Sequence, residues 1–568
     1  MCCNSALQHR SGSQRRAARA ARKLPAASAA CAALTLILNA QRAADREPIR
    51  FRDSAATAGV NFVLNNHPTS EKHMIETMPG GVATLDYDRD GLTDIYFTNG
   101  AAIPSLEKTE PKYWNRLFRN EGGMKFRDVT GEAGVAGAGY SMGVAAGDYD
   151  NDGNVDLFVA GVYRNLLYRN RGDGRFEDVT ARAGIKSDRW SVAAGWFDYD
   201  NDGYLDLFVV NYARWTLAFD RYCGDRARNI RVYCHPKYFT PIANQLYRNR
   251  GDGTFEDVSQ SSGIAAHEGR GMSVAFADYD GDGRLDIFVT NDNLPNFLFR
   301  NLGGGKFEEV GLEAGVALLD HGRPVASMGA DFRDYDNDGR PDITVTALTG
   351  ETFPLFRNTG GGAFRDATYA SRMSPLSVRW SGWGNGFFDF NNDGWKDLFT
   401  ANSHVNDRIE LFEATTYLQH NTIFAGTGGG TFRDVTADSG LAQAVRAHRG
   451  AAFADFNNDG KLDVVVSCLG GQAELWENVS PNSNRWLILK LVGTKSNHDG
   501  IGARVRIGEQ WNEMTTAVSY ASSTHFGVHF GLGTLKVVPE IEIRWPSGIV
   551  QKLFNVETNQ VVYVRERG

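Results

Sequence analysis

An acidic pattern, Asp-x-Asp/Asn-x-Asp-Gly-x-x-Asp, occurs seven times in this chain and constrains its fold more than any other feature. An apolar segment with strand character lies on each side of every copy. The copies begin at Asp86, Asp148, Asp198, Asp278, Asp334, Asp389 and Asp455. Recurrence of this kind indicates a repeat architecture, in which each copy belongs to one supersecondary unit.

The fourth copy shows the chemistry most clearly. Asp278, Asp280 and Asp282 occupy positions one, three and five, and Asp286 occupies position nine. Gly283 at position six permits the sharp bend, and position seven adds a backbone carbonyl, so five oxygens converge. Oxygen donors without His or Cys favour calcium. Magnesium is less suitable because it requires a rigid octahedral site.

The flanks of this loop, Val-Ala-Phe-Ala and Ile-Phe-Val-Thr, are strand-like, and position twelve is not Glu, so the loop is not an EF-hand. An ordinary Asp-stabilised turn is the alternative for any single copy. Seven copies favour calcium, because so many clustered carboxylates would repel one another if no cation were bound. We therefore expect up to seven calcium ions, one for each repeat.

The predicted ligands include the position-seven residue of each loop for its carbonyl oxygen. They are Asp86, Asp88, Asp90, Leu92 and Asp94; Asp148, Asp150, Asp152, Asn154 and Asp156; Asp198, Asp200, Asp202, Tyr204 and Asp206; Asp278, Asp280, Asp282, Arg284 and Asp286; Asp334, Asp336, Asp338, Arg340 and Asp342; Asp389, Asn391, Asp393, Trp395 and Asp397; and Asp455, Asn457, Asp459, Lys461 and Asp463. The sixth and seventh loops carry Asn at position three, and we expect them to bind calcium more weakly because ligand charge contributes to affinity.

Residues 1–44 contrast with the acidic remainder of the chain. The whole chain has a formal charge of −8, whereas this segment carries seven basic residues and no acid. Its basic start, the apolar stretch over 24–38 and the small residues that follow predict a secretory signal peptide. A membrane anchor is the alternative, but about 15 apolar residues are short for a span. A lipoprotein signal at Cys31 and a twin-arginine signal at Arg15 and Arg16 are minor options.

These features predict an exported protein, located outside the cell, at the cell surface or in the periplasm, with no transmembrane span in the mature chain. The acidity lies mostly in the loops, so the composition does not indicate a nucleic-acid partner. Cys223, Cys234 and Cys468 remain after removal of residues 1–44. A disulfide between Cys223 and Cys234 fits an oxidising compartment, and two free thiols are the alternative.

A second element follows the acidic loop in each repeat, as in residues 117–120 (Leu-Phe-Arg-Asn) and 126–130 (Phe-Arg-Asp-Val-Thr) of the first. Each repeat therefore contains about four short strands, and the spacing of the copies fits propeller blades better than a nonapeptide solenoid. The last repeat lacks its final strand, which residues 51–54 supply from the N-terminus. The predicted fold over 45–480 is an all-β, seven-bladed β-propeller closed by this N-terminal strand. An open array of sheets is the alternative.

The blades resemble the FG-GAP/VCBS repeats of integrin-α-type propellers. Residues 481–568 resemble the ASPIC/UnbV domain of the cartilage acidic protein family. The residues that carry the second resemblance are 486–489 (Trp-Leu-Ile-Leu), 493–497 (Gly-Thr-Lys-Ser-Asn), 500–505 (Gly-Ile-Gly-Ala-Arg-Val), 529–533 (His-Phe-Gly-Leu-Gly) and 544–548 (Arg-Trp-Pro-Ser-Gly). The family often carries Gly-Gly-Ser-Tyr before His-Phe-Gly-Leu-Gly, whereas this chain has Ala-Val-Ser-Tyr at 517–520.

The resemblance implies a secreted calcium-binding propeller and no settled activity. Apart from it, the alternation of apolar and polar residues after 482 predicts a small C-terminal β-sandwich. We find no phosphate-binding Gly-Lys-Ser/Thr loop and no His-x-x-x-His pair that indicates catalysis. A carboxylate that binds calcium is also a poor proton shuttle.

Residues just before the innermost strands are expected to surround the mouth of the channel. Arg and Trp at such positions suit an anionic or carbohydrate ligand, although solvated rim charges and packing tryptophans are the alternative. The predicted ring comprises Glu76, Arg189, Trp190, Arg270, Arg323, Arg379, Trp380, Trp383, His448 and Arg449.

The expected function is an extracellular or cell-surface binding and adhesion module for a protein or carbohydrate, and we do not expect an enzyme. One alternative is an enzyme that acts on extracellular polysaccharide at this ring, with acid–base groups drawn from His73, Glu76, His404 and His448. Another is a structural subunit of a secreted complex.

Overall fold

Seven antiparallel units of four strands, one for each acidic loop, follow one another along the chain, and a short fifth strand from the C-terminal domain joins the first of them in parallel. The structure is a computed structural model that describes residues 48–219, 221–481 and 483–568. The predicted signal peptide lies outside the described residues. In each blade the innermost strand leads into the acidic loop and the second strand leaves it. In blades one to six the third and outer strands form a hairpin.

The strands of each blade are given from the channel outward. Blade one consists of Val82–Leu85, Asp94–Phe97, Arg116–Asn120 and Phe126–Asp128; blade two of Tyr140–Gly147, Asp156–Val162, Leu166–Asn170 and Phe176–Asp178; blade three of Ser191–Phe197, Asp206–Asn211, Gln245–Asn249 and Phe255–Asp257; blade four of Gly271–Ala277, Asp286–Asn291, Phe297–Gly303 and Lys306–Glu309; blade five of Ala330–Arg333, Asp342–Val345, Leu355–Gly360 and Ala363–Asp366; blade six of Gly382–Phe388, Asp397–Asn402, Thr422–Gly426 and Phe432–Asp434; and blade seven of His448–Ala454, Asp463–Cys468, Glu474–Asn478 and Phe51–Asp53.

The N-terminal strand closes the ring. Phe51 pairs with Asn478 and Asp53 with Trp476, so Phe51–Asp53 forms the outer strand of blade seven. The innermost strand of each blade contacts that of the next, and blade seven contacts blade one in the same way. The prediction of a closed seven-bladed propeller is confirmed, and the open array of sheets is wrong. Closure also removes the free sheet edges that such an array would expose.

A recurring asparagine at the end of the third strand joins neighbouring blades. Asn170 Nδ2 donates to the carbonyl of Tyr87, the second residue of the preceding acidic loop, at 2.8 Å. Asn249 makes the same bond to Tyr149. The equivalent residues in blades one, four, five and seven repeat it, whereas blade six has Gly426 at this position. This asparagine, which every blade except the sixth carries, therefore contributes to closing the ring.

Short helical turns connect the blades and support the surface loops. The α-helical turns are Ala55–Ala58, Thr130–Ala133, Ser259–Ser262, Gly311–Ala314, Met373–Ser377 and Thr436–Ser439. The 3₁₀ turns are Met74–Thr77, Pro111–Tyr113, Pro236–Tyr238, Ile264–Ala266, Ile409–Leu411 and Leu441–Gln443. Among the described residues, no helix has both the length and the apolarity needed to span a membrane.

Blade three carries a long insertion on the face of the propeller opposite the acidic loops. Its strands Cys223–Asp225 and Ile230–Val232 form a small hairpin, and a disulfide joins Cys223 to Cys234. The short strands Ile242–Ala243 and Glu268–Gly269 pair at its base. Cys468 lies in blade seven as a buried free thiol.

The C-terminal domain contains two sheets, as the predicted β-sandwich requires. One comprises Arg485–Val492, Val528–Gly533 and Gln560–Arg565, and the other comprises Arg504–Ile507, Gln510–Glu513, Val537–Arg544 and Val550–Glu557. Its buried side chains form one hydrophobic cluster with blades two and three. The domain therefore packs directly against the propeller.

Residues 517–524 of this domain enter the propeller channel, and we call them the channel segment. Ser519 N donates to the Ala330 carbonyl at 2.9 Å, and Ala521 accepts from Val144 N at 3.0 Å. The side chains of the segment accept further bonds from the innermost strands of blades one, two, six and seven. Strand Ser523–Thr524 also pairs in parallel with blade one. The channel is therefore filled by the chain's own C-terminal domain.

Candidate metal centres and the upper face

The acidic loops share one hydrogen-bonding pattern, which the first copy illustrates. The Asp86 carboxylate accepts from the backbone of Asp90 at 3.1 Å and of Gly91 at 3.0 Å. The Asp94 carboxylate accepts from Tyr87 N at 3.0 Å and from Asn120 N at 2.7 Å. The sixth and seventh loops, with Asn at position three, keep the pattern. The carboxylates at positions one and nine thus shape each loop.

The carboxylate at position three is left with an unsatisfied oxygen. Oδ1 of Asp88, Asp150, Asp200 and Asp336 is buried without a hydrogen-bond partner. In loops two and three, acidic oxygens at positions one, three and nine lie within 4.8 Å of one another. A buried, unpaired carboxylate oxygen is unfavourable unless a cation binds it. The residues present therefore fit a hard divalent cation.

Burial makes the ionised loops costly when no cation is bound. Loss of solvent, together with repulsion from neighbouring carboxylates, raises the pKa of Asp198 to about 7 and that of Asp286 to about 8. The pKa of Asp206 lies well above its usual range for the same reasons. A bound divalent cation would reverse this effect, since it stabilises the charged carboxylates directly.

An arginine from the third strand contacts the outer side of several loops. Arg169 Nε lies 2.5 Å from Asp150 Oδ2, and its Nη2 lies 2.8 Å from Asp152 Oδ2. Equivalent arginines make these contacts in blades one, three and five. In blades six and seven, where position three is Asn, the corresponding residues are Ala425 and Glu477. Among the seven loops, all of which the structure describes, the arginine contact is thus found only where position three is a carboxylate.

The C-terminal domain covers the face that carries the acidic loops. At loop two, Asp148 N donates to Asp499 at 2.8 Å, and His498 N donates to Asn151 Oδ1 at 2.8 Å. At loop five, Arg504 Nη2 donates to the Gly339 carbonyl at 2.8 Å. Further contacts reach loops six and seven. Nothing in the spacing of residues 498–504 signalled these contacts.

The opposite face, which we call the upper face, contains several cavities, and two of them involve residues of the predicted ring. The first, the upper cleft, has a volume of about 500 Å³ and lies beside the insertion of blade three, with Arg189 and Trp190 in its lining. The second lies over the channel mouth, has a volume of about 350 Å³ and is lined partly by Trp383 and His404. The C-terminal domain does not cover this face, so it is available to a partner.

The predicted ring of cations and tryptophans does not form one exposed site. Trp190, His448 and Arg449 are fully buried, and Arg270 is nearly so. His448 Nε2 lies 3.0 Å from both carboxylate oxygens of Glu474. These residues stabilise loops and blade edges, because their hydrogen bonds and ring contacts are internal.

Other members of the ring lie apart from one another. Arg323 lines a separate hollow together with Tyr369, and Arg379 pairs with Asp434 at 3.3 Å and stacks on Trp380. Of the residues in the predicted ring, only Arg189 and Trp190 line the upper cleft. A residue that lies just before an innermost strand is thus not necessarily exposed to solvent.

The groups considered for acid–base catalysis do not meet in one cavity. Glu76 accepts from His73 N and from the Tyr233 hydroxyl, both at 3.1 Å. His404 Nδ1 accepts from Asn406 N at 3.0 Å, and burial lowers the pKa of His404 to about 4. Among these groups, only His404 lines a cavity of those described above. Their arrangement does not support the alternative of a polysaccharide-acting enzyme.

Comparison with protein families agrees with the repeats seen in the structure. A model of the FG-GAP-like repeat matches residues 86–159, 148–209, 238–289, 278–345, 334–400 and 406–466. The chain belongs to the FG-GAP-like repeat family. A second model, ASPIC and UnbV, matches residues 493–568 of this FG-GAP-like protein. Both resemblances drawn from the sequence are confirmed.

Cartilage acidic protein 1 is a relative of this FG-GAP-like chain. The mouse protein is 27% identical over 338 residues, which cover 57% of this chain and 49% of the mouse protein. The human protein is 26% identical over 337 residues, which cover 57% of this chain and 48% of the human protein. The chain thus spans about half the length of these curated relatives.

Two solved structures are similar to it at low identity. YCF48 bound to D1 peptide aligns with a TM-score of 0.40 and 8% identity over 77% of this chain and 98% of that one. A lectin of Agrocybe aegerita that recognises non-reducing terminal N-acetylglucosamine aligns with a TM-score of 0.38 and 17% identity over 69% of this chain and 87% of that one.

Proposed function

We propose that this chain is an exported binding and adhesion module whose propeller is stabilised by calcium, with up to seven ions, one in each acidic loop. The observation that carries the proposal is the set of buried, unpartnered carboxylate oxygens at position three of four loops. The side-chain oxygens at positions one, three, five and nine, with the carbonyl at position seven, would hold each ion. The ion would supply charge neutralisation and rigidity.

The upper face is the surface proposed to bind an extracellular protein or carbohydrate. The C-terminal domain covers the acidic loops, and the channel segment fills the channel, so the opposite surface with the upper cleft and the cavity over the channel mouth is the accessible one. Small-molecule and glycan sites favour such concave surfaces. The disulfide between Cys223 and Cys234 supports an oxidising, exported location.

The proposal is tested by thermal unfolding of residues 45–568 in calcium and in excess chelator, together with a metal count by mass spectrometry. Ligand that binds only the folded state at a hundred times Kd contributes about 2.7 kcal/mol for each site. We expect several calcium ions per chain and a large fall in Tm on chelation. An unchanged Tm with no bound metal would contradict the calcium proposal.

A single-loop variant makes this test specific. Asp200→Asn removes one of the unpaired oxygens, and Asn already occupies position three in loops six and seven, so the loop should still fold. The variant should bind calcium more weakly at that loop and keep its stability in chelator. Asp252→Asn, at an exposed aspartate of a hairpin turn in the same blade, is the matched control and should change neither quantity.

A further inference from the structure

The disulfide-linked insertion of blade three is a basic, exposed feature of the upper face. Residues 221–238, which we call the basic hairpin, contain Arg221, Arg226, Arg228, Arg231 and Lys237 but only one acid, Asp225. The whole chain has a formal charge of −8, so this local excess of positive charge is unusual within it. Such a concentration of one charge attracts ligands of the opposite sign.

The cations of the basic hairpin are held in place. The guanidinium of Arg221 lies 4.2 Å from the ring centre of Tyr238, and that of Arg226 lies 4.4 Å from that of Tyr222. Stacking on tyrosine orients a guanidinium while leaving its N–H groups free to bind an anion. The Cys223–Cys234 disulfide fixes the base of the hairpin. Less conformational entropy is therefore lost when an anion binds.

The single acid of the hairpin does little to reduce this charge. Asp225 Oδ1 accepts from the backbone N–H of Ala227 at 2.9 Å and of Arg228 at 3.2 Å, so it serves the turn. Its nearest cationic contact, Arg228 Nε, is 3.9 Å away. Arg221, Arg226, Arg228 and Lys237 are all exposed. Within the part of the chain that the structure describes, Arg221, Arg226 and Lys237 form no ion pair with a carboxylate.

The upper cleft continues from the base of the hairpin. Phe219, which lines it, packs on Phe239 at 4.8 Å between ring centres, next to the hairpin. Tyr163, which is 38% exposed, adds a second aromatic side chain to the lining. Arg189 and Glu268 add a hydrogen-bond donor and an acceptor. Aromatic faces beside mixed polar groups suit a sugar ring with its hydroxyls.

We propose that the basic hairpin and the upper cleft together bind an acidic polysaccharide. A sugar ring would occupy the cleft, and carboxylate or sulfate groups along the same chain would contact Arg221, Arg226 and Arg228. This inference rests on the proposed binding function and specifies the class of ligand. An acidic polypeptide shares the charge but not the ring, so it would use the hairpin alone.

Binding is measured with residues 45–568 in calcium by biolayer interferometry. The probes are polygalacturonate, which carries carboxylates, heparin, which carries sulfates, and polyglutamate, which is a polyanion without sugar rings. We expect at least one acidic polysaccharide to bind about tenfold more tightly than polyglutamate, and its affinity to fall as salt rises. Which of the two binds identifies the acidic group. Equal binding of all three probes, or no binding of either polysaccharide, would overturn the proposal.

Two variants separate the hairpin from the cleft. The triple variant Arg221→Ser, Arg226→Ser and Arg228→Ser should weaken binding of every polyanion about tenfold. Thr216→Trp places a large side chain at an exposed position of the cleft lining and changes no charge. It should remove the preference for polysaccharide while leaving polyglutamate binding unchanged. A preference that survives Thr216→Trp would exclude the cleft and overturn the proposal.

A charge-matched control addresses nonspecific electrostatics. Arg171, Arg175 and Arg365 are exposed arginines on blades two and five, away from the insertion. Their triple change to Ser should leave the affinity for acidic polysaccharide unchanged, and a loss equal to that of the hairpin variant would refute the hairpin site. The Tm of the same samples in calcium and in chelator tests the calcium proposal separately. Retained calcium stabilisation without polysaccharide binding would overturn this inference alone.

Discussion

His498 Nδ1, in the C-terminal domain, lies 3.1 Å from Oδ2 of Asp148, the first residue of the second acidic loop. The carboxylates of Asp148 and of Asp499, whose Oδ1 lies 3.7 Å from the same nitrogen, raise the pKa of His498 to about 10. The imidazolium therefore supplies a positive charge next to carboxylates that are predicted calcium ligands. The docking of the C-terminal domain and the charge of loop two are thus physically linked.

His498→Gln should raise the calcium affinity of loop two several-fold, because it removes a cation that repels the incoming ion. The same variant should be less stable than the parent chain in chelator, since Asp148 loses its partner. Isothermal titration calorimetry and thermal unfolding measure the two effects. His321→Gln, at an exposed histidine outside the loops, is the control. Weaker calcium binding by His498→Gln would contradict the argument.

Arg169→Ala should destabilise the chain more in chelator than in calcium. Without metal, the guanidinium offsets repulsion between Asp150 and Asp152, which it contacts at 2.5 and 2.8 Å. With calcium bound, the ion takes over that role, so the variant should lose little. Arg182→Ala removes an exposed arginine of the same blade that pairs only loosely, at 3.4 Å, with Glu177. If Arg169→Ala lowered Tm equally in both conditions, the arginine would act independently of the metal.

The closed propeller was predictable because each step of the argument used a repeated local pattern. The seven acidic loops defined the blades. The strand missing from the last repeat was predicted at the N-terminus, and the structure has it at Phe51–Asp53. The Arg-Asn pair of the third strand was also visible as a repeat, although its contacts with the loops and the preceding blade were not. Repetition in sequence thus predicted repetition in structure.

Contacts that occur only once in the fold, and not in every blade, could not be predicted in this way. The channel segment has an unremarkable sequence of small and polar residues, and its partners, such as Val82 and Ala330, lie far away in the chain. The sequence also did not show which individual arginines are buried. Arg449 and Arg379 both precede or begin an innermost strand, yet the first is fully buried and the second has a side chain that is 65% exposed. Tertiary packing alone makes that difference.

Gly450→Ala should displace the channel segment. A Cβ at Gly450 would lie 2.3 Å from Ser522 Oγ, 2.4 Å from the Gly80 carbonyl and 2.9 Å from the Tyr520 carbonyl. Two of these are backbone atoms, so the segment or the strand must move. Overpacking of this kind costs about 1–3 kcal/mol.

Hydrogen exchange of residues 517–524 and the Tm of the chain measure the effect of Gly450→Ala. Gly429→Ala is the control, because a Cβ there meets no atom within 4 Å. Faster exchange confined to the channel segment in Gly450→Ala is the expected result. Unchanged exchange and stability in that variant would show that the segment does not pack tightly in the channel.

Glu566→Gln should make the C-terminal domain less stable at neutral pH. The Glu566 carboxylate accepts from the backbone of Thr494 and Lys495, both at 2.7 Å, and of Ser496 at 2.9 Å. Burial opposes ionisation, but the Ser547 hydroxyl and these N–H groups outweigh it and lower the pKa of Glu566 to about 2. Hydrogen bonds to a charged group contribute roughly 1.5–3 kcal/mol, and we expect a loss of about 2 kcal/mol.

The pH dependence of this loss follows from the sign of the shift. Because the folded pKa is lower than the unfolded one, the stabilisation is complete above the usual pKa of Glu and is lost as pH falls towards about 2. Protonated Glu566 resembles Gln, so the melting temperatures of parent and variant should converge between about pH 4.3 and pH 2. Glu557→Gln, at an exposed residue of the same domain, should match the parent at every pH. A difference between Glu566→Gln and the parent that stayed constant down to the lowest pH would mean that the shape of the side chain, rather than its charge, stabilises the loop at 494–496.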